Sequence, residues 1–197
     1  LDAGYGTTRL VGGAVRDALL GVAGADIDLA TQLPPADVMR RVADAGLKPV
    51  PTGLAHGTVT AVGTGLRVEI TTLRRDLETN GRHARVVFTS AWEEDASRRD
   101  FTINALYARL PDGGISDFFG GLDDLAARRV RFIGAPLQRI AEDHLRILRF
   151  FRFSARFATS VDAEGLAAPT ERANGLMALS RGRIAAELEG VLLVARP

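Results

Sequence analysis

Two short segments near the start of the chain decide the fold, LVGGAVRD at residues 10–17 and DIDL at residues 26–29. The pair Gly12-Gly13, between a β-type run and a helical run, predicts a turn at which the backbone can approach a phosphate closely, because glycine has no Cβ. The helix that follows offers unpaired N–H groups and the positive end of its dipole. Arg16, near the start of that helix, could reach the same phosphates.

The acidic residues of the second segment have the spacing of a metal site. Asp26 and Asp28 are two apart on a predicted strand, so their carboxylates project from one face, about 7 Å apart along the chain. Two such carboxylates can hold two Mg²⁺ ions about 4 Å apart, an arrangement that activates an attacking hydroxyl and stabilises the leaving oxygens in phosphoryl transfer. Glu69, on another predicted strand, could provide a third carboxylate or brace the site.

The first two thirds of the chain alternate short β-type and helical runs, which predicts an α+β domain over residues 1–135 with a mixed, partly antiparallel sheet. Pro34-Pro35 predicts the start of a helix that Gly46 can end. Gly63-Thr64-Gly65 predicts a hairpin, and the charged segment 74–90 predicts a loop. The predicted strands lie near residues 8–11, 27–30, 57–62, 66–72, 105–109 and 129–132.

The last third has helical periodicity without β runs. We expect helices at residues 137–157, 163–174 and 181–194, which make residues 136–197 an all-α second domain. In the first of them the apolar side chains of residues 145–153 are distributed around the whole circumference, which predicts a mostly buried helix.

The charges on that helix need partners. Asp143 and Arg146 are three apart and therefore neighbours, with Arg149 and Arg152 following. One interpretation is an internal ion pair with arginines that extend to water. The other is an anionic ligand such as a nucleotide, because unpaired buried guanidinium groups are costly.

Composition excludes several classes of protein. The 197 residues contain no Cys, which removes disulfides, thiol catalysis and Cys-based zinc sites, and the three His are dispersed. The formal net charge of +1 argues against a surface coated with positive charge. There is no secretory signal pattern and no membrane-length apolar run, so we expect a cytoplasmic protein without a membrane partner. The sequence carries no signal of oligomeric state.

Taken together, the motifs resemble those of the class II tRNA nucleotidyltransferase and bacterial poly(A) polymerase family, a branch of the polymerase-beta-type nucleotidyltransferases. The order of strand, Gly-Gly, helix with Arg, and strand with Asp-x-Asp is the layout of that superfamily. A weaker match covers residues 179–193. The family's further motifs are matched in order by HGTV at residues 56–59, VEITTLR at 68–74, EDASRRDFTINA at 94–105, DGG at 112–114 before Asp117, and EDHLRILRFFRF at 142–153.

The resemblance implies roles for individual residues. Asp26 and Asp28 would be catalytic and hold two Mg²⁺ ions, with Glu69 as a further catalytic carboxylate. Arg99 would contact nucleotide phosphate, and Asp100 and Asn104 would lie near the ribose; without the resemblance, Asp100 would be read as a helix cap with Arg98 and Arg99 in solvent. The implied nucleotide-binding residues are Gly12, Gly13, Arg16, Arg99, Asp100, Asn104, Asp143, Arg146, Arg149 and Arg152.

In the family the Glu-Asp-x-x-Arg motif acts as a protein template for CTP and ATP. Cytosine and adenine each offer an amino donor beside a ring-nitrogen acceptor, whereas uracil and guanine offer the reverse order. The carboxylate of Asp143 can accept from the amino group while the guanidinium of Arg146 donates to the ring nitrogen. UTP or GTP would leave buried polar groups unsatisfied, at about 1–3 kcal/mol each.

The resemblance therefore implies a catalytic head at residues 1–135, a neck at residues 136–197, and addition of CMP and AMP from CTP and ATP to the tRNA 3′ end. One alternative is a poly(A) polymerase of the same family, although GTGLR at residues 63–67 does not match the GRRFR-like string typical of those enzymes. Others are a partial C-adding or A-adding enzyme, and a non-catalytic nucleotide- or RNA-binding module. Family members usually continue into body and tail helices that this sequence lacks, so we expect weaker tRNA binding.

Overall fold

The computed structural model describes residues 1, 6–22, 26–80, 83–161 and 163–194. The chain divides into two compact units. No helix within the described ranges has the length and apolar character needed to cross a membrane. The predicted division of the chain at residue 135 into a head and a neck stays a prediction. The first unit comprises Leu1–Leu77, Arg85–Arg98 and Asn104–Phe118, and the second comprises Glu78–Ala84, Arg99–Ile103 and Phe119–Pro197.

A mixed sheet organises the first unit. Its described strands are β1 (Thr8–Val11), β2 (Ile27–Thr31), β3 (Lys48–Gly53), β4 (Thr58–Gly63), β5 (Leu66–Thr72), β8 (Leu106–Arg109) and β9 (Ile115–Asp117). They form one seven-stranded sheet in the order β3-β4-β5-β2-β1-β8-β9. Strands β2 and β5 are parallel, and the other neighbouring pairs are antiparallel. The predicted mixed sheet and the hairpin between β4 and β5 are confirmed.

Helix α2 (Pro35–Asp44) covers one face of this sheet. Its apolar positions recur four residues apart, so they form a single stripe that faces the strands. Side chains alternate between the two faces of a strand, so Arg67 and Glu69 of β5 lie on the face opposite α2. The buried core between helix and sheet consists of Val38, Val42, Val59, Ala61, Val68 and Ile70. The first unit also contains α1 (Gly13–Leu19) and α3 (Trp92–Ser97).

The second unit is helical around a cluster of phenylalanine rings. Phe101 packs on Phe132 and Phe153, with ring centroids 4.9 and 5.3 Å away, and Phe132 stacks on Phe150. All four rings are buried. The described helices of this unit are α4 (Gly121–Ala126), α5 (Pro136–Glu142), α6 (Leu145–Phe157), α7 (Ala163–Glu171) and α8 (Arg181–Leu192).

The single helix predicted for residues 137–157 is wrong, because the structure has two helices there, α5 and α6, separated by two non-helical residues. Asp143 has extended backbone angles, φ −152° and ψ 107°. Its carboxylate accepts a hydrogen bond from the Leu145 N–H at 3.0 Å, a local bond with which aspartate competes against the helix. Most apolar side chains of α6 are buried, as expected, and Phe151 is an exception at 39% exposed.

The predicted positions of strands and loops also need correction. The segment predicted as a loop at residues 74–90 contains β6 (Arg74–Asn80) and β7 (His83–Phe88), which pair as a two-stranded sheet. The strand predicted at residues 129–132 is only an isolated bridge between Phe101 and Phe132. Strands β3 and β9 were not predicted; the prolines of β3 are unusual in strands and are tolerated here at a sheet edge. Gly81 of the predicted loop lies outside the described residues.

Candidate functional site

Three acidic residues meet where β2 and β5 lie side by side. Asp28 on β2 is directly opposite Glu69 on β5 in parallel register, and Asp26 immediately precedes β2. Together with Ile27 and Arg67 these residues line a pocket of about 250 Å³. The tertiary structure thus places around one pocket the three acidic residues that the sequence analysis selected as catalytic.

The charge in this pocket favours a cation. Glu69 has a weak ion pair with Arg67, with 3.5 Å between Oε1 and Nη2; the Arg67 side chain is largely exposed and the Glu69 side chain is half-exposed. Among the described residues there is no group of three or more His, Cys, Asp or Glu side chains close enough to hold a metal by themselves. Mg²⁺ commonly takes one or two carboxylates and completes its shell with water and substrate phosphates. Asp26 and Asp28 fit that donor set.

The glycine turn lies beside the carboxylates, because β1 is the neighbour of β2 and runs antiparallel to it. Gly12 has φ 68° and ψ −127°, a combination that is essentially restricted to glycine. Its N–H donates to the carbonyl of Leu106 at 3.2 Å, which holds the end of β1 to β8. Helix α1 begins at the next residue, Gly13. Leu10 of β1 pairs with Leu29 of β2, so the glycine turn after β1 and the start of β2 lie side by side at the same end of these two strands.

Arg16 is held by protein groups in this arrangement. The residue is 6% exposed, and its Nη1 donates to Oδ1 of Asn104 at 2.5 Å. Its Nε and Nη2 both approach Oδ1 of Asp17, at 2.8 and 2.7 Å. The structure therefore brings together Arg16 and Asn104, two predicted nucleotide-binding residues. Asp17 was missed as the ionic partner of Arg16, although its place next to Arg16 in the sequence was a signal.

A second missed acid in the first unit is Asp95, which is 1% exposed. Its carboxylate accepts from the hydroxyl of Tyr107 at 2.8 Å and from Nε of Arg98 at 2.9 Å. It also accepts from the backbone N–H of Arg74 at 3.2 Å. Arg98 is therefore a structural partner of a buried acid, and the reading that leaves it in solvent is wrong.

In the second unit the predicted arginines of α6 share acidic partners. Asp100 Oδ2 accepts from Arg149 at 2.7 Å from Nε and 2.5 Å from Nη2. Glu187 on α8 accepts from Nε of Arg152 at 2.6 Å and lies 3.6 Å from Nη1 of Arg149. Glu187 was missed, because residues 35 positions or more apart show no pairing in a single sequence.

Burial alone would lower the pKa of the Arg149 guanidinium, but nearby acids reverse the effect. The charge of Asp100 and its hydrogen bond, followed by the charges of Glu187 and Asp143, raise that pKa above its ordinary value. Arg149 is therefore a fixed cation at every physiological pH. Arg99, the predicted phosphate contact, is half-buried in the same unit, and its carbonyl accepts from Nη2 of Arg139 at 2.6 Å.

Asp143 and Arg146, the predicted base-reading pair, each have another ionic partner. Asp143 Oδ2 accepts from Nη2 of Arg183 on α8 at 2.8 Å. Arg146 Nη1 donates to Oε2 of Glu142 at 2.6 Å and to the carbonyl of Arg139 at 2.7 Å. The break before α6 places both residues at the start of that helix, and Arg183 is a restraint that the sequence analysis missed.

Solved structures share this fold. The crystal structure of the Bacillus stearothermophilus CCA-adding enzyme in complex with CTP is 37% identical, with a TM-score of 0.82 over 94% of this chain and 44% of that one. A tRNA nucleotidyltransferase complexed with a primer tRNA and an incoming ATP analog is 32% identical, with a TM-score of 0.77 over 93% of this chain and 52% of that one. This chain therefore has the fold of nucleotidyltransferase head domains.

The chain belongs to the family described as the poly A polymerase head domain, whose model matches residues 8–131. Among curated proteins, the human mitochondrial CCA tRNA nucleotidyltransferase 1 is 46% identical over 189 residues, which are 94% of this chain and 43% of that protein. The chain thus spans less than half the length of this relative.

Proposed function

We propose that the protein is a tRNA nucleotidyltransferase that adds CMP and AMP from CTP and ATP to the 3′ end of tRNA. The observation that carries the proposal is the pocket in which Asp28 lies opposite Glu69, with Asp26 beside them. This pocket lies at the end of β2 that is also next to the glycine turn. Relatives named as CCA-adding enzymes and tRNA nucleotidyltransferases support this choice of substrates.

The chemistry is a nucleotidyl transfer. The 3′ oxygen of the RNA forms a bond to the α-phosphorus of the nucleotide, and the bond from that phosphorus to pyrophosphate breaks. Asp26 and Asp28 would hold Mg²⁺, which polarises the phosphate oxygens and increases the acidity of the attacking hydroxyl. The turn at Gly12 and Gly13 would bind the triphosphate through backbone N–H groups, because no side chain blocks close approach.

Residues of the second unit would select and bind the nucleotide. Asp143 would accept a hydrogen bond from the amino group of cytosine or adenine, and Arg146 would donate to the adjacent ring nitrogen. The hydrogen bond from Arg183 restrains the orientation of the Asp143 carboxylate. This supports a role in base selection, which depends on how that carboxylate is oriented. Arg149 and Arg152 are already paired with acids, and the remaining N–H groups of their guanidinium groups can donate to phosphate or base acceptors.

In the first unit, Arg16 and Asn104 would support the nucleotide together. Their mutual hydrogen bond sets the direction of the guanidinium beside the glycine turn. In the second unit, Arg99 would contact phosphate and Asp100 would orient Arg149 near the ribose. The cytoplasmic location expected from the sequence stays a prediction, since the relatives include a protein named as mitochondrial.

The test is incubation with tRNA lacking its 3′ end and each labelled nucleotide, alone and mixed. We expect addition of two C and one A. Asp28→Ala should lower incorporation about 1,000-fold, because losing a metal carboxylate removes several kcal/mol of transition-state stabilisation. Asp37→Ala is the matched control, since Asp37 is half-exposed on α2, which covers the opposite face of the sheet.

Other outcomes would reject parts of the proposal. Long runs of A would assign the protein to the polyadenylating enzymes, and addition of C alone or A alone would make it a partial enzyme. Binding of CTP without incorporation would identify a non-catalytic nucleotide-binding module. Near wild-type incorporation by Asp28→Ala would remove the carboxylate pocket from the mechanism.

A further inference from the structure

An exposed row of side chains crosses the sheet of the first unit on the face opposite α2. Arg67 on β5 is directly opposite Val62 on β4, and Val62 is directly opposite Lys48 on β3. Directly opposed residues on neighbouring strands point to the same face, so the three side chains form one line. This Arg67–Lys48 row starts at the carboxylate pocket, which Arg67 also lines, and ends at the edge of the sheet.

The row presents positive charge to solvent. The Arg67 side chain is 72% exposed, and its ion pair with Glu69 is long at 3.5 Å. Lys48 is exposed and has no ion pair within the described part of the chain. Val62 between them is 36% exposed. The row therefore offers two cations and an apolar side chain beside an acidic pocket.

Protection of the sheet edge explains only one of these cations. Lysine and proline on an edge strand hinder pairing with another chain, and β3 contains Pro49 and Pro51 beside Lys48. Arg67, however, lies on β5, which has neighbours on both sides and no edge to protect. Its exposure at the pocket needs a different explanation.

We propose that the Arg67–Lys48 row binds the phosphate backbone of the RNA strand whose 3′ hydroxyl enters the carboxylate pocket. This inference rests on the proposed transfer to an RNA end. Strand β2 lies between β1, which leads into the glycine turn, and β5, which bears Arg67. The attacking and leaving oxygens lie roughly in line on opposite sides of the phosphorus. With the triphosphate on the β1 side, the RNA strand approaches from the β5 side.

The length of the row favours a polymer over a mononucleotide. Lys48 and Arg67 are two strand spacings apart, about 10 Å. A chain of phosphates can neutralise both cations and place its end in the pocket. A single triphosphate held at the glycine turn, on the β1 side of β2, would not extend across β5 and β4 to Lys48.

The experiment compares Arg67→Gln, Lys48→Gln and the double variant with wild type, at about 50 to 200 mM salt. Arg67→Lys keeps the charge, and Arg40→Gln is the control, because Arg40 is an exposed arginine on α2. The first measurement gives KM for tRNA, KM for CTP and kcat. The second is the dissociation constant of a short labelled single-stranded RNA without nucleotide, by fluorescence anisotropy.

We expect each glutamine variant to raise the KM for tRNA several-fold while the KM for CTP stays within about twofold. In Lys48→Gln, which lies outside the pocket lining, kcat should also stay within about twofold. The slope of log affinity against log salt should become shallower by about 0.7 per lost contact and about 1.4 in the double variant, with Arg67→Lys close to wild type. Unchanged RNA affinity and salt slope in an active enzyme would overturn the inference and leave the proposed function intact.

A rise in the KM for CTP alone would assign Arg67 to the nucleotide and also overturn the inference. If the wild-type chain binds RNA with these salt slopes yet incorporates nothing, the proposed function fails and the RNA-binding row stands.

Discussion

Asp124 on α4 is the acid on which we expect the fold of the second unit to depend most. Its side chain has no exposed surface and accepts from the hydroxyl of Thr102 at 2.6 Å. It also accepts from Nε of Arg129 at 2.7 Å and from Nε of Arg131 at 2.9 Å. Thr102 lies in the segment that bears Asp100, so Asp124 fixes the backbone next to a predicted site residue.

The cost of Asp124→Ala follows from these contacts. The Thr102 hydroxyl, at 1% exposure, would lose its acceptor, at about 1–3 kcal/mol. The two arginine contacts add about 1 kcal/mol or less each, because both guanidinium-bearing side chains are 46% exposed. We therefore expect the free energy of unfolding to fall by about 3 kcal/mol.

Urea unfolding followed by far-ultraviolet circular dichroism measures this loss, because α4 to α8 supply most of the helical signal. For a slope of about 2–3 kcal/mol per molar urea, the midpoint should fall by about 1 M. Asp123→Ala, at the exposed neighbouring position on α4, is the control and should change little. Asp124→Asn keeps an acceptor for the Thr102 hydroxyl, so its free energy of unfolding should fall less than that of Asp124→Ala. A loss in Asp124→Ala no larger than in the control would refute this reasoning.

Two further predictions concern the glycine turn and base selection. Gly12→Ala places a side chain at φ 68° and ψ −127°, so we expect a loss of about 1–3 kcal/mol, measured as a lower melting temperature, with Gly182→Ala on α8 as a control that removes glycine without positive φ. A melting temperature equal to that of wild type would show that the turn relaxes. Asp143→Ala removes the proposed acceptor for the base amino group, so the preference for CTP over UTP should fall about tenfold, measured by competition at equal concentrations. Unchanged selectivity would show that Asp143 and its ion pair with Arg183 serve helix packing alone.

Local patterns determined much of the fold. Alternation and turn residues predicted β1, β2, β4, β5 and β8, and the hairpin between β4 and β5, because these elements need only short-range preferences. Patterns failed where tertiary contacts override preference. Strand β3 contains two prolines and persists as an edge strand, and Asp143 ends α5 by a side-chain bond that helical periodicity does not reveal.

The sequence by itself selected Asp26, Asp28 and the glycine turn, because their chemistry lies in residue type and short spacing. Only the tertiary structure decided which distant groups join them. The parallel pairing of β2 with β5 brings Glu69 opposite Asp28, and α8 delivers Arg183 to Asp143 and Glu187 to the α6 arginines. Strand order and helix packing bring together groups 35 to 41 residues apart, and no local preference encodes that pairing.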